Sequence, residues 1–315
     1  MKITLAAAVL LIAGGGLCGQ TVKPLAQLDA PGGLIFAMVC DGGESVVGLA
    51  GQNDLYAWSL TSGERRTLKA GLDGRVDPGA VACNRKMFAV GSSHGTVVLL
   101  DAAGVEQRRL ELKEEVTGLT FSADGTTLAV TTANSPVQLC DVVSGKALWK
   151  GSTDFGNSYG ARIGPDGNLI IAADGDTHVR AYDRKGKLLY AADAGWLEPF
   201  DVSLSADAKT FTVAGAEGII ELHAAATGKL LKKSANSGNP IFLLVMAPQG
   251  RKVIGFELDA FRMHAAAVAY WDPDGGELKN LPLDAKTLLG IGRNDKSMLL
   301  VRQASPGKIS VESVE

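Results

Sequence analysis

Four histidines and four cysteines in 315 residues leave little of the usual equipment of catalysis. His94, His178, His223 and His264 are scattered along the chain. There is no H-E-x-x-H and no G-x-S-x-G, so the familiar zinc-protease and nucleophile-elbow layouts are excluded. C-x-x-C-H, the covalent haem signature, is missing, and so is an adjacent cysteine pair. Positive charge is not in surplus: 31 Lys and Arg stand against 34 Asp and Glu. With no basic cluster, this balance argues against a nucleic-acid partner. The apolar run at residues 5–13 is too short to span a bilayer, which needs about 20 residues, and no second run approaches that length. No catalytic residue, metal set or cofactor is therefore expected, and no membrane span.

The start of the chain does carry a pattern. Lys2, the apolar centre at 5–13 and the small tail Gly14-Gly15-Gly16-Leu17-Cys18-Gly19 read as an export signal over residues 1–20. A lipid-modified Cys18 wants a small residue before it and finds Leu17; cleavage just after Cys18, Gly19 or Gln20 is favoured over a lipid anchor. The expected location is periplasmic or secreted. With Lys2 gone, 30 basic residues face 34 acidic ones, a net charge of −4. Hydrophobic residues at 46% and charged ones at 21% are a globular composition, and 39 glycines suit a chain of many tight turns. Three cysteines remain: Cys40, Cys83 and Cys140. An odd number allows no disulfide framework, or one bridge and a free thiol.

A repeat organises residues 21–315. In VTGLTFSADGTTLAVTTANSPVQLCDVVSGKALWK, residues 116–150, strands are predicted at 116–121, 126–132, 137–142 and 147–150, with Asp124-Gly125 and Ser144-Gly145-Lys146 as turns. The last residue of the first strand, Phe121 here, has counterparts at Cys40, Cys83, Ile163, Leu204, Met246 and Ile291. The steps are 43, 38, 42, 41, 42 and 45 residues, the period of a four-stranded propeller blade. Two further marks keep phase. One is the end of the third strand, as in Trp58-Ser59, Leu100-Asp101, Cys140-Asp141, Tyr182-Asp183, His223-Ala224 and Trp271-Asp272. The other is the turn after it, as in Ser62-Gly63-Glu64, Lys185-Gly186-Lys187 and Thr227-Gly228-Lys229. The seventh unit supplies three strands, and residues 23–29 match a fourth strand. The reading is all-β: one seven-bladed β-propeller of four-stranded blades, closed by the N-terminal strand completing the last blade.

The chain resembles the WD40, YVTN and quinoprotein-like β-propeller repeat superfamily. Phe121-Ser122-Ala123-Asp124-Gly125 and Gly164-Pro165-Asp166-Gly167 resemble the turn after the first strand of such repeats, and Trp271-Asp272 the dipeptide of WD40. The stretch from Asp141 to Trp149 resembles the tryptophan-bearing repeat of quinoprotein propellers. One Trp-Asp pair, no regular Gly-His start and one such tryptophan repeat depart from either pattern. The resemblance implies that loops between blades, and between second and third strands, share the face where ligands dock.

Candidate binding residues on that face are Asp73, Arg75, Asp77, Asp154, Asn157, Asp174, Asp176, His178, Trp196 and Glu198. Asp174-Gly175-Asp176-Thr177-His178 looks most like chemistry, since two carboxylates and an imidazole suit a divalent cation or a hydroxyl-rich ligand. A solvated hairpin turn is the favoured alternative. Arg75 offers an anion contact or an exposed ion pair with its acidic neighbours. Trp196 is a stacking platform or a plug between blades. Unit six is longer than its neighbours around 256–264, where a protruding loop would present Phe261 and Met263 to a partner, or an extended hairpin would absorb the length. His223 and Cys140 occupy the packing position of Trp58. Cys40 and Cys83 share a phase in neighbouring blades and are expected to be two buried thiols, with a bridge as the alternative.

Function is expected to be that of an exported, non-catalytic scaffold, monomeric, binding a protein partner, with a small molecule as the other option. The alternative from another class is a periplasmic propeller enzyme, lactonase-like or quinoprotein-like, with a metal or small-molecule site at the channel mouth.

Overall fold

The computed structural model describes residues 22–40, 43–51, 53–68, 71–84, 86–153, 157–195, 198–259, 264–284 and 287–314. They form seven antiparallel four-stranded sheets, arranged as the blades of a propeller. Blade 3 is the repeat in its plainest form: Val116–Phe121, Thr127–Thr132, Ser135–Asp141 and Ala147–Lys150, paired in that order. Its second strand is buried at every position, because a blade is covered on both faces by its neighbours. Outer strands are wet: Glu106–Glu111 of blade 2 exposes all but Leu110. Between strands the chain turns on local chemistry. Asp124 accepts from Ser122 Oγ and from the Thr126 amide at 2.7 and 2.9 Å, and Gly125 takes a φ of +72°. Those bonds hold the Asp124 carboxyl down at about 2.

The first strands of neighbouring blades pack around the central axis. The ring closes as the sequence predicts: Val22–Asp29 pairs antiparallel with Lys308–Val314, from Val22 opposite Val314 to Asp29 opposite Lys308. Trp58 of blade 1 donates its Nε1–H to the Asp29 carbonyl at 2.7 Å, and the Lys308 ammonium pairs with the Asp29 carboxylate. The marked third-strand position is a packing position throughout. Trp58, Cys140, Tyr182, His223 and Trp271 are all buried.

The cysteines require a correction. Cys40 and Cys83 form a disulfide, with Cα atoms 5.0 Å apart, and Cys140 is a buried free thiol. The two are not in one phase. Cys83 pairs opposite Phe88, and Val39 opposite Val46; Cys40 lies one residue further, where its amide already bonds across the turn to the Ser45 carbonyl. Adjacent residues of a strand point to opposite faces, and facing blades meet through opposite faces. The one-residue offset is therefore what lets the two sulfurs meet. Their bridge stitches blade 1 to blade 2, whose first strand, Val81–Cys83, has only three residues.

Blade 6 absorbs its extra length in a long hairpin. Val253–Asp259 and His264–Trp271 stay paired as far as Asp259 opposite His264. Phe261 and Met263 fall outside the described residues.

Candidate functional site

Six of the seven first strands begin with the same irregularity. Register against the second strand slips by one residue between Leu34 and Phe36, Val116 and Gly118, Ser158 and Gly160, Pro199 and Asp201, Ile241 and Leu243, and Leu288 and Gly290. The extra residue is Ile35, Thr117, Tyr159, Phe200, Phe242 or Leu289. A bulge re-aims its side chain away from the alternation of the sheet. Ile35, Tyr159, Phe200 and Phe242 are re-aimed in this way at the mouth of the central channel, whereas Leu289 is buried in the core. In blade 2 the 3-10 turn Pro78–Ala80 precedes the shortened strand instead.

Three consecutive blades contribute aromatics at this position. Tyr159 meets Phe200 edge to face at 5.6 Å between ring centroids, and Phe200 stacks on Phe242 at 4.6 Å. All three rings are half-buried, and Ile35 further round the mouth is 59% exposed. Tyr159 also donates from its hydroxyl to Glu198 Oε1 at 2.9 Å. Burial and the Glu198 carboxylate together raise the Tyr159 pKa. Exposed acids stand on the same face, among them Asp73, Glu198 and Glu217. The result is an apolar arc under an acidic rim. This arc was not read from the sequence. Its signal was present: Tyr159, Phe200 and Phe242 recur at steps of 41 and 42 residues, each four before a first-strand mark.

Beneath the rim in blade 4 lies the acid pair that looked most like chemistry. Asp174 and Asp176 are buried, not solvated, and both are clamped by Arg180. Arg180 Nη1 donates to Asp174 Oδ2 at 3.0 Å and to Asp176 Oδ1 at 2.8 Å, and Nη2 lies 2.5 Å from Asp176 Oδ2. Ser158 Oγ donates to Asp174, and Thr153 Oγ1 to Asp176 at 3.2 Å. Burial is the largest influence on Asp174 and pushes its carboxyl up to about 6, against the pull of Ser158 and Arg180. The same two acids raise the Arg180 pKa. His178 Nδ1 lies 2.8 Å from the Asp176 carbonyl. The geometry is a buried ion network, and it replaces the solvated-turn reading. Among the described residues no group of three or more His, Cys, Asp and Glu is arranged to hold a metal. The loop pattern in the sequence does not include Arg180, which sits inside a strand, His178–Asp183.

The remaining candidates fall apart into separate roles. Arg75 pairs with Asp77 at 2.9 Å and with Glu115 at 3.0 Å. Its side chain is two-thirds exposed, so the pairs contribute on the order of 0–1 kcal/mol each. The backbone carbonyl of Asn157 accepts from the Gly175 amide at 3.0 Å and braces the turn before Asp176. Asp154 and Trp196 lie outside the described residues. Three further acids are buried, and Glu257 is the one that accepts from Asn239 Nδ2, at 3.0 Å. Asp201 receives Arg162 at 3.0 Å and the Leu244 amide at 2.9 Å, and Glu221 receives His223 and Lys233, each at 3.1 Å. At the opposite end of the channel Arg293 of blade 7 donates to the carbonyls of Leu204 and Met246 at 3.0 and 3.2 Å, tying together three blades.

Comparison with known proteins agrees with this architecture. Residues 104–156, which contain blade 3, match the family described as the anaphase-promoting complex subunit 4 WD40 domain. An uncharacterized WD repeat-containing protein of Synechocystis sp. is 28% identical over 141 residues. That stretch is 44% of this chain and 40% of the relative's length. The crystal structure of the β-propeller domain of Cps50 (Swd1) from Myceliophteria thermophila superposes with a TM-score of 0.76 at 13% identity, covering 94% of this chain and all of that domain. With the seven-blade ring, these likenesses support a β-propeller fold similar to that of WD40 domains. No helix among the described residues is long and apolar enough to cross a membrane.

Proposed function

We propose that this protein is an exported, non-catalytic scaffold that grips a protein partner at the channel mouth. The observation that carries the reading is the arc Tyr159–Phe200–Phe242, with the exposed Ile35 on the same mouth, under acids that include Asp73, Glu198 and Glu217. Aromatic rings at the centre of a patch with a charged rim are the anatomy of a protein-binding surface. The charge fits a partner segment with an apolar anchor flanked by Lys or Arg. Propellers of the WD40 type commonly bind proteins, which supports the same reading. Export is supported by the signal-like residues 1–20 and by the Cys40–Cys83 disulfide, since such bonds persist in oxidising compartments.

The test is selection from a random displayed-peptide library against the mature chain and a Phe200→Ser, Phe242→Ser variant. The expected winners carry an aromatic or large aliphatic residue beside basic ones, and lose binding to the variant. Winners that are acidic, or that bind the variant equally, contradict the proposal.

A further inference from the structure

A second charged feature lies on the face opposite the acidic rim. Between blades 6 and 7 there is a cleft of about 380 Å³. It is built from the turns that join first to second strands, 247–252 and 294–297, and from the end of Lys308–Val314. Its floor is apolar and buried: Ala247, Met298 and Val314. Arg251, Lys252 and Lys296 also line it, and no acid does among the described residues. In a chain of net charge −3, three cations around one cleft are a local inversion of sign. Two acids of these blades are otherwise placed. Asp274 is held by Lys232 at 2.8 Å, with Arg251 acting on it only at longer range. The exposed Asp295 stands beside Lys296 in its turn but outside the lining.

The backbone discriminates between anions. A compact phosphate site uses a nest of unspent amide N–H groups. Here the amides of Ala247 and Gly250 bond within their own turn. Those of Lys296 and Ser297 both donate to Asn294 Oδ1 at 2.8 Å. The side chains that the lining offers for recognition include three cations and Gln249, over an apolar floor. We infer that this cleft is a second docking site, for an acidic peptide segment of a partner in which Asp or Glu alternates with an apolar residue. The site is independent of the channel mouth and opposite to it in sign, which would let the propeller hold two unlike segments on two faces.

The probe is a labelled eight-residue peptide of alternating Glu and Leu, titrated by fluorescence anisotropy against the mature chain, beside its Gln-for-Glu counterpart. The Glu peptide is expected to bind about tenfold or more tightly than the Gln peptide, and to weaken as salt rises from 50 to 300 mM. An Arg251→Ser, Lys296→Ser variant should lose about tenfold or more. Both side chains are exposed, so the variant should keep the parent melting temperature. Lys185→Ser with Lys187→Ser, in a turn of blade 4, should change nothing. Equal binding of the two peptides, indifference to the Arg251 and Lys296 changes, or displacement of the peptide by equimolar inorganic phosphate would each overturn the inference. So would binding that emerges only in Glu315→Ala, since the cleft would then belong to the residue that follows Val314. A failure at the channel mouth in the library selection leaves this test unaffected.

Discussion

Replacing Arg180 by Met removes the cation shared by two buried carboxylates while keeping much of the stem volume. Arg180 reaches Asp174 at 3.0 Å and Asp176 at 2.8 Å, and all three are buried. Breaking a buried ion pair by deleting one partner costs about 3–5 kcal/mol, because the other charge is stranded. The pH dependence follows from Asp174. Even with Arg180 present, burial lifts its pKa from 3.8 to about 6, on the order of 3 kcal/mol against the ionised form. A folded-state pKa above the unfolded one means that the native protein holds the proton more tightly. Stability from this group is then fully present below about pH 4 and lost as pH rises through about 6. Without Arg180 the carboxyl climbs further, so the variant's deficit should grow with pH. Urea unfolding followed by tryptophan fluorescence should show a loss of about 3–5 kcal/mol at pH 8 and a loss about 1–2 kcal/mol smaller at pH 5. Adding Asp174→Asn and Asp176→Asn to the variant should recover most of the loss at pH 8. A deficit below about 1 kcal/mol at both pH values, or one larger at pH 5, would refute the stranded-charge reasoning.

Three more predictions follow from the ring. Cys40→Ser with Cys83→Ser opens a loop closed over a sequence separation of 43; chain entropy puts the cost at about 4 kcal/mol, and a loss of unfolding free energy below about 1 kcal/mol in chemical denaturation would contradict it. Removing residues 22–29 exposes the edge of Lys308–Val314, so size-exclusion chromatography should show association or aggregation where the parent elutes as one species. Gly290→Ala places a Cβ about 2.1 Å from the Ala37 carbonyl oxygen. Blades 7 and 1 must part to admit it, and the melting temperature should fall with a loss of about 1–3 kcal/mol; an unchanged melting temperature would contradict the close approach.

The ring was legible in the sequence because its cause is periodic. Phe121, Ile163, Leu204 and Met246 recur with the length of a blade, and residues 23–29 look like a fourth strand because they are one. What escaped depends on offsets of a single residue. Cys40 and Cys83 meet because they are out of phase by one, a shift hidden by unequal turns. Tyr159, Phe200 and Phe242 face the channel because a bulge inserts one residue in each strand, and a bulge leaves no composition signature. Asp174 and Asp176 stand out in the sequence, and their partner does not. Arg180 lies inside a strand among buried residues, where a guanidinium is unexpected until both acids are seen to face it.

The channel mouth as a protein-binding face is tested most directly by photocrosslinking in the protein's own cells. A benzoylphenylalanine placed at Ile35, 59% exposed on the mouth, is compared with one at Val143, 77% exposed in a turn on the opposite face. A discrete polypeptide adduct is expected at position 35, lost with Phe200→Ser, and none at position 143. No adduct at position 35, or one unaffected by Phe200→Ser, would contradict it.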